Sequence, residues 1–201
     1  MPARQSLAGT PAVESAGAGE VGQPDVRLFT IDDGNCNRLG SFYLDLFSRS
    51  NKRAGAWMNT LDTGSPSTPE TPGKPRLGMV CLNIHPPAAG DTVILSHREV
   101  RTLFHEFGHL LHLMFTRVSI PSLAGTSVPR DFVAVPSQFM ENWCWRPDVL
   151  QSFSRPERTG LPLPEEMLNP LDAARGLTPA PALARQPLFA QLDLSAHSAP
   201  G

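Results

Sequence analysis

One segment of this 201-residue chain constrains its fold most: an apolar stretch between Ser96 and Thr116 with the periodicity of a buried helix. Ser96 is followed three residues later by Glu99, and the pair fits a capping box that closes the first turn of a helix. The helix should therefore begin at Ser96 and continue to about Thr116. Its apolar positions cover much of the circumference: Val100, Leu103, Phe104, Phe107, Leu110, Leu111 and Met114.

The centre of this predicted helix carries a polar cluster, the H-E-x-x-H pentapeptide that begins at His105. His105 and His109 are four residues apart and lie roughly 5 to 6 Å apart on one helix face, so they can share one zinc ion. Glu106 lies about 100° around the helix from His105, near enough to reach a metal-bound water without being a ligand. This is the geometry of a general base that activates water for attack on a peptide carbonyl. A chance match in a chain of this composition is about a one-in-a-hundred event.

Other histidines leave alternatives open. The pair in the pentapeptide could pack in the core without a metal. His112 lies on the same helix face, where it could be a further ligand, line the site or donate a hydrogen bond to a ligand. His85 and His97 are predicted to be surface residues.

Composition and charge exclude several classes of partner. The chain has 21 prolines and 16 glycines, so much of it should be loop, and its net charge of -2 comes from scattered residues. A basic patch for nucleic acid or an anionic membrane is not predicted. No stretch approaches roughly 18 consecutive apolar residues, so no membrane span is expected. Cys36, Cys81 and Cys144 lack the C-x-x-C spacing of a metal or redox site, which predicts free, mostly buried thiols in a reducing compartment.

The segments before the helix predict a small sheet. Residues 26–31 and 39–47 are apolar and flank the turn-forming Asp-Asp-Gly-Asn sequence at 32–35, so a β-hairpin is expected, with Asp45 facing solvent. Residues 54–58 could add a short strand, and 77–84 read as a buried strand that ends before two prolines.

The segment between these last two strands, residues 60–74, is predicted to be a surface loop. After the central helix, residues 131–145 predict a second helix that Pro136 interrupts. Prolines beyond residue 146 leave room only for short helices such as 164–169 and 188–196.

Several motifs together resemble the thimet oligopeptidase and oligopeptidase A family of zinc metallopeptidases. They are LFHEFGHLLH at 103–112, SLAGT at 122–126 and RDFVAVPSQFMENWCW at 130–145. The upstream GSFYLDLFSRSNKRAGAWM at 40–58 is similar to the sheet segment of the same family. The resemblance covers about residues 24–160. It implies a peptidase that cleaves short peptides, internally or as a dipeptidyl carboxypeptidase, in a channel between two mostly helical halves.

The resemblance also implies roles for individual residues. His105 and His109 correspond to zinc ligands and Glu106 to the general base. In the family a glutamate 25 residues after the second histidine is the third ligand, and here that position is Ala134. A methyl group cannot bind zinc, so the resemblance implies a site with two protein ligands and solvent.

Three neighbours of Ala134 could replace the missing ligand: Asp131, Gln138 and Glu141. On a regular helix each is displaced by about 5 to 10 Å from the ligand position. A second departure from the family concerns length. Residues 188–197 are similar to the family helix that precedes a segment with a histidine and tyrosines that stabilise the oxyanion, and the chain is expected to lack those donors. It is also expected to lack most of the N-terminal helical half.

The sequence therefore predicts an α+β, zincin-like fold, with a short N-terminal sheet followed by the H-E-x-x-H helix and further helices. Residues 1–22 are expected to be a disordered leader, 23–160 a partial catalytic domain, and 161–201 a proline-rich, weakly ordered segment. The predicted function is zinc-dependent, cytoplasmic cleavage of short peptides. The alternative is a catalytically impaired protein or a remnant, because of Ala134 and the expected lack of the oxyanion segment.

Overall fold

The computed structural model describes residues 5–7, 10–14, 23–88, 91–154, 163–177 and 179–198. The chain is α+β and divides into two compact units, Met1–Cys144 and Trp145–Gly201. The first unit contains a sheet followed by helices. The strands are β1 (Gln5–Leu7), β2 (Thr10–Glu14), β3 (Arg27–Asp32), β4 (Arg38–Phe47), β5 (Trp57–Asp62) and β6 (Arg76–Ile84).

The helices of the first unit are α1 (His97–Met114), α2 (Arg130–Val133) and α3 (Val135–Glu141), with 3₁₀ turns at Pro121–Leu123 and Asn142–Trp145. The second helix predicted for 131–145 is thus divided, as expected from Pro136, which lies in the first turn of α3. A proline there is tolerated because the first amides of a helix have no intrahelical acceptor. The second unit contains α4 (Pro147–Phe153), α5 (Glu165–Leu177) and α6 (Pro179–Ser198).

The sheet has the strand order β1-β2-β3-β4-β6-β5 among the described residues. β3 and β4 form the predicted antiparallel hairpin, and the Asp33 carboxylate in its turn accepts the amides of Asn35 and Asn37. β6 pairs in parallel with β4 and antiparallel with β5, so the sheet is mixed. β5 begins three residues later than the predicted 54–58 strand and extends to Asp62, into the predicted surface loop, because it pairs with β6.

Helix α1 packs on one face of this sheet and forms the core with it. Glycines on the neighbouring strands β4 and β6 permit the close approach, since a Cβ at Gly78 would lie 2.5 Å from Leu110 and one at Gly40 would lie 2.5 Å from the Met114 sulfur. Side chains of both layers are almost fully buried: Ile31, Phe42, Val80, Leu82, Ile84, Leu110, Leu113 and Met114. The predicted buried strand and buried helix are therefore both confirmed.

The prediction that Asp45 faces solvent is wrong, because the Asp45 side chain is only 3% exposed. The connection after β4 supplies two cations. Arg49 donates to both carboxylate oxygens at 2.8 Å, and Lys52 donates to Oδ1 at 2.8 Å. Burial tends to raise the pKa of Asp45, but these hydrogen bonds and charges outweigh it and lower the pKa. An alternating strand pattern could not reveal this burial, since the partners come from outside the strand.

Two further differences concern the ends of the chain. Strands β1 and β2 lie within the predicted leader, and β2 pairs antiparallel with β3, for example Val13 with Thr30. This pairing forms hydrogen bonds between backbone groups, which do not depend on large apolar side chains. The scarcity of such side chains was the reason for predicting a disordered leader. Residues 1–4, 8–9 and 15–22 lie outside the described residues. The domain boundaries at 22 and 160 stay predictions.

The second unit contains longer helices than the sequence predicted. α5 has 13 residues with Pro170 inside it, and α6 has 20 residues with Pro187 inside it. The prediction that prolines permit only short helices here is wrong for these two elements. Each proline removes one backbone donor, while the turns on either side keep their own hydrogen bonds.

Candidate active site

The start of α1 is fixed as its sequence predicted. The Ser96 hydroxyl accepts the Glu99 amide at 3.3 Å, and the Glu99 carboxylate accepts the Ser96 amide at 2.8 Å. This complete capping box sets the phase of the helix two turns before the H-E-x-x-H residues. The histidines and the glutamate are therefore carried by a rigid element rather than by a loop.

His105 and His109 lie side by side on α1, as predicted. Their ring centroids are 5.0 Å apart and their planes meet at 79°. This separation suits two imidazoles directed at one small ion. Nothing in their spacing by itself distinguishes a metal site from two packed rings, so the surroundings of each ring decide what the pair can do.

Glu106 is a buried carboxyl group, with 8% of the residue exposed. Burial raises its pKa, whereas neighbouring His105 and the backbone amide of Met58 on β5 favour the ionised form. A raised pKa makes the ionised carboxylate a stronger proton acceptor. The structure thus places Glu106 in a buried environment that favours its protonated form.

His105 is oriented by a carboxylate from α3. Its Nδ1 lies 2.7 Å from Oε1 of Glu141, and the other oxygen of Glu141 lies 2.9 Å from Nε of Arg101. A neutral imidazole that donates from Nδ1 has its lone pair on Nε2. A carboxylate bonded in this way is the usual outer partner of a histidine that binds a metal.

His109 and His112 lack such partners. The Nδ1 atoms of both rings are buried and have no hydrogen-bond partner. Burial lowers the pKa of each. For His109 the neighbouring His105 and His112 lower it further, and these effects outweigh a hydrogen bond to the Val133 backbone, which raises it. Both rings therefore favour the neutral form, which is the form that can bind a metal.

The position of the expected third ligand is set by close packing of α3 on α1. A Cβ at Gly108 would lie 2.5 Å from Cα of Ser137 and 2.7 Å from the Pro136 carbonyl oxygen, so only glycine permits this approach. Ala134 is the residue between α2 and α3. Its methyl group stands where the resemblance implies a glutamate.

No replacement ligand is found among the described residues, where no group of three or more His, Cys, Asp or Glu side chains could hold a metal ion. Asp131 and Gln138 are exposed. Glu141 is bonded to Nδ1 of His105 and to Arg101. The residues present thus fit a zinc site with two imidazole donors and lack the third protein donor that a catalytic zinc site has.

Several other residues around the site were also predicted from the sequence, and the structure shows where each of them lies. His85 is exposed, as predicted, but His97 is half-buried and its Nε2 lies 2.9 Å from the Cys144 carbonyl oxygen. The three cysteines are free, and burial raises the pKa of Cys144 to about 12, so its thiol stays protonated. From the sequence, Glu141 was predicted only as a possible replacement ligand. Its contact with His105 depends on how α3 packs on α1, which no spacing along the chain reveals.

Comparison with the sequences of known proteins shows which family the chain belongs to. The model of peptidase family M3 matches residues 3–201. The chain belongs to peptidase family M3. It is 44% identical over 180 residues to oligopeptidase A of Escherichia coli (strain K12), covering 89% of this chain and 26% of that protein. It is 38% identical over 199 residues to a probable cytosolic oligopeptidase A of Arabidopsis thaliana, covering 96% of this chain and 28% of that protein.

A third relative has a different name. Dipeptidyl carboxypeptidase of Escherichia coli (strain K12) is 42% identical over 144 residues, which cover 72% of this chain and 21% of that protein. The chain therefore spans about a quarter of the length of the curated relatives it matches. In the described part of the chain, no helix is both long enough and apolar enough to cross a membrane. The family resemblance inferred from the sequence is confirmed.

Proposed function

We propose that this chain carries the hydrolytic centre of a zinc-dependent oligopeptidase with a zincin-like fold, acting on short peptides. His105 and His109 are the zinc ligands, and Glu106 is the general base. The observation that carries the proposal is the buried Glu106 carboxyl group with its raised pKa, adjacent in sequence to one of two neighbouring imidazoles. Membership of peptidase family M3 supports the same chemistry.

Zinc, when bound, supplies electrophilic activation of a peptide carbonyl and of water. The residues of this chain do the rest. Glu106 accepts the proton of the attacking water and passes it to the leaving amine. Glu141 keeps the Nε2 lone pair of His105 available by accepting a hydrogen bond from Nδ1. The neutral form of His109, favoured by burial, leaves it a lone pair for the metal.

The site of cleavage within a substrate is part of the same proposal. The relatives include oligopeptidases A and a dipeptidyl carboxypeptidase. We assign this chain to cleavage within short peptides because oligopeptidase A recurs among them at 38% to 44% identity. A cytoplasmic location is proposed on the name of the cytosolic relative from Arabidopsis thaliana.

Zinc binding by the purified chain tests the proposal. We expect weak binding through the two histidines, which His105→Gln and His109→Gln should each abolish. Ala134→Glu should restore the third ligand and tighten zinc binding. Loss of a residue that only hydrogen-bonds to a metal ligand weakens binding about tenfold to a hundredfold. A direct anionic ligand should have a larger effect than that. A chain that binds no zinc even with Ala134→Glu overturns the proposal.

A quenched fluorescent peptide tests the role of Glu106 in the same background. Ala134→Glu should cleave the peptide in a zinc-dependent way, and addition of Glu106→Gln should stop cleavage while zinc remains bound. Loss of zinc and of activity together would indicate that Glu106 acts as a ligand instead.

A second candidate function is peptide binding without catalysis, and Ala134 is the observation that favours it. A site with two protein ligands should bind zinc weakly, so a peptide could be bound and released unchanged. Labelled peptide that binds the unaltered chain, with no cleavage at saturating zinc, would select this candidate. Cleavage by the unaltered chain would exclude it.

A further inference from the structure

The Glu141 carboxylate is shared between two residues of α1. Oε1 lies 2.7 Å from Nδ1 of His105, and Oε2 lies 2.9 Å from Nε of Arg101. Arg101 and His105 are four residues apart and so lie on one face of the helix. Glu141 is the last residue of α3, just before the 3₁₀ turn at Asn142–Trp145. The carboxylate therefore reaches His105 from the junction between α3 and this 3₁₀ turn.

A carboxylate that makes only one hydrogen bond can rotate about its terminal bond and leave its partner. The contact of Arg101 with the second oxygen removes that freedom, because both oxygens are then fixed. We propose that Arg101 is a positioning residue for the site: it holds Glu141 on Nδ1 of His105 and thereby fixes the tautomer and ring direction of that histidine. This inference rests on the proposed function, in which His105 binds zinc.

The alternative is that the Arg101–Glu141 pair only fastens α3 to α1. Its exposure argues against a large effect of this kind, since the Arg101 side chain is 48% exposed and exposed ion pairs contribute little to stability. A positioning role has a different signature. It changes the state of the His105 ring and the affinity for zinc, and leaves thermal stability almost unchanged.

The first test reads the His105 ring directly, without metal. Nitrogen-15 spectra of the zinc-free chain at about pH 8, above the ordinary histidine pKa, report which ring nitrogen carries the proton, and His105→Gln assigns the signal. We expect the Nδ1-protonated tautomer in the unaltered chain. Arg101→Ala should give a mixture of tautomers, and Arg101→Lys, which keeps the charge, should restore most of the original signal.

Arg98→Ala is the matched control. Arg98 is also an arginine on α1, three residues before Arg101, and within the described ranges no ion pair joins it to a carboxylate. Its removal should leave the His105 signal unchanged. An unchanged His105 signal in Arg101→Ala, or an equal change in Arg98→Ala, overturns the proposal.

The second test measures zinc affinity in the Ala134→Glu background by competition with a chelator. Glu141→Ala should weaken binding about tenfold to a hundredfold, as for loss of an outer partner of a metal ligand. Arg101→Ala should weaken it by a smaller factor of about three to ten, and should have no further effect once Glu141→Ala is present. An additional loss in that double variant would show that Arg101 does not act through Glu141.

The two tests separate this inference from the proposed function. Absence of zinc binding in every variant would refute the proposed function, whereas the tautomer of His105 in the metal-free chain would still decide the role of Arg101. Zinc binding that responds to Ala134→Glu but not to Arg101→Ala would refute this inference alone.

Discussion

The two sides of helix α1 treat polar groups in opposite ways. The side toward the sheet packs Leu110, Leu113 and Met114 into the core, and the buried carboxylate of that sheet, Asp45, has both oxygens bonded to cations. The side toward α3 carries His109 and His112, whose buried Nδ1 atoms have no partner.

This difference shows which side is built for stability. An unpaired buried polar atom costs free energy, about 1 to 3 kcal/mol in the folded state, so a fold selected for stability alone would pair it or remove it. The apolar residues of α1 that pack on the sheet should therefore be intolerant of substitution, whereas the histidines with unpaired Nδ1 atoms should tolerate substitution in stability.

The largest expected effect is within the sheet itself, at Asp45 on β4. Asp45→Ala leaves the Lys52 ammonium, whose side chain is 2% exposed, without its carboxylate. Removal of one partner of a buried ion pair costs about 3 to 5 kcal/mol, which urea unfolding followed by circular dichroism would measure. Asp62→Ala, in the exposed pair with Lys74, is the matched control and should cost about 0 to 1 kcal/mol. Equal losses would contradict the distinction between the two pairs.

The same carboxylate predicts an acid dependence. Its folded pKa is lowered from the ordinary value of 3.8, so the unfolded chain binds more protons in the range between the two values. The stability contributed by Asp45 is present above pH 3.8 and is lost as the pH falls through that range. Asp45→Asn should remove this part of the acid slope, and an unchanged slope would contradict the assignment.

A slightly smaller effect is expected for an apolar residue on the side of α1 toward the sheet. Leu113 is fully buried, and Leu113→Ala should cost about 2 to 5 kcal/mol through lost burial and the cavity left behind. Leu113→Met conserves volume and should cost less than about 1.5 kcal/mol. Calorimetric unfolding would measure both. Zinc affinity per folded molecule should stay the same, and a parallel loss of affinity would show that the two sides of α1 are coupled.

The contact between α1 and α3 should show a smaller effect on stability and a clear one on the site. Gly108→Ala places a Cβ 2.5 Å from the backbone of Ser137, so α3 must move away. Overpacking costs about 1 to 3 kcal/mol, and the better helix propensity of alanine offsets about 1 kcal/mol, which leaves a net loss of about 0 to 2 kcal/mol. Movement of α3 should also take Glu141 off His105 and weaken zinc binding in the Ala134→Glu background.

Gly34→Ala is the control, because a Cβ at Gly34 would meet nothing within 4 Å. Unfolding in urea and chelator competition should show no change for it. Zinc affinity that survives Gly108→Ala would indicate that the position of α3 does not govern the site.

The two sides of α1 also differ in how well the sequence predicted them. Apolar periodicity and the Ser96–Glu99 capping box predicted α1 and its burial, because those signals are local and repeat along the chain. H-E-x-x-H spacing likewise predicted that His105 and His109 lie together. Pairing between distant elements was not predictable. The Glu141 contact with His105 depends on the crossing of α3 over Gly108, and the strand β2 depends on pairing with the edge of β3.

The smallest expected effect concerns the unpaired nitrogen of His112. His112→Phe replaces the ring by an apolar one of similar shape, next to Phe132, whose ring centroid lies 6.2 Å away. Removal of a buried polar atom that has no partner should be neutral or stabilising by about 0 to 1 kcal/mol. Urea unfolding at about pH 8, where histidine is neutral, would measure this difference. Exposed His85→Phe should change stability by no more than about 0.5 kcal/mol in either direction.

The effect of His112→Phe should grow in acid. Burial lowers the folded pKa of His112 below 6.5, so the unfolded chain binds more protons than the folded one as the pH falls through the range between the two values. The unaltered chain therefore loses stability in that range. The phenylalanine variant does not have this loss, because it has no imidazole at position 112. Its advantage over the unaltered chain should be larger at about pH 5 than at about pH 8. An advantage that shrinks in acid would mean that the His112 nitrogen has a partner that favours its protonated form, and that the α3 side of α1 is as well paired as the sheet side.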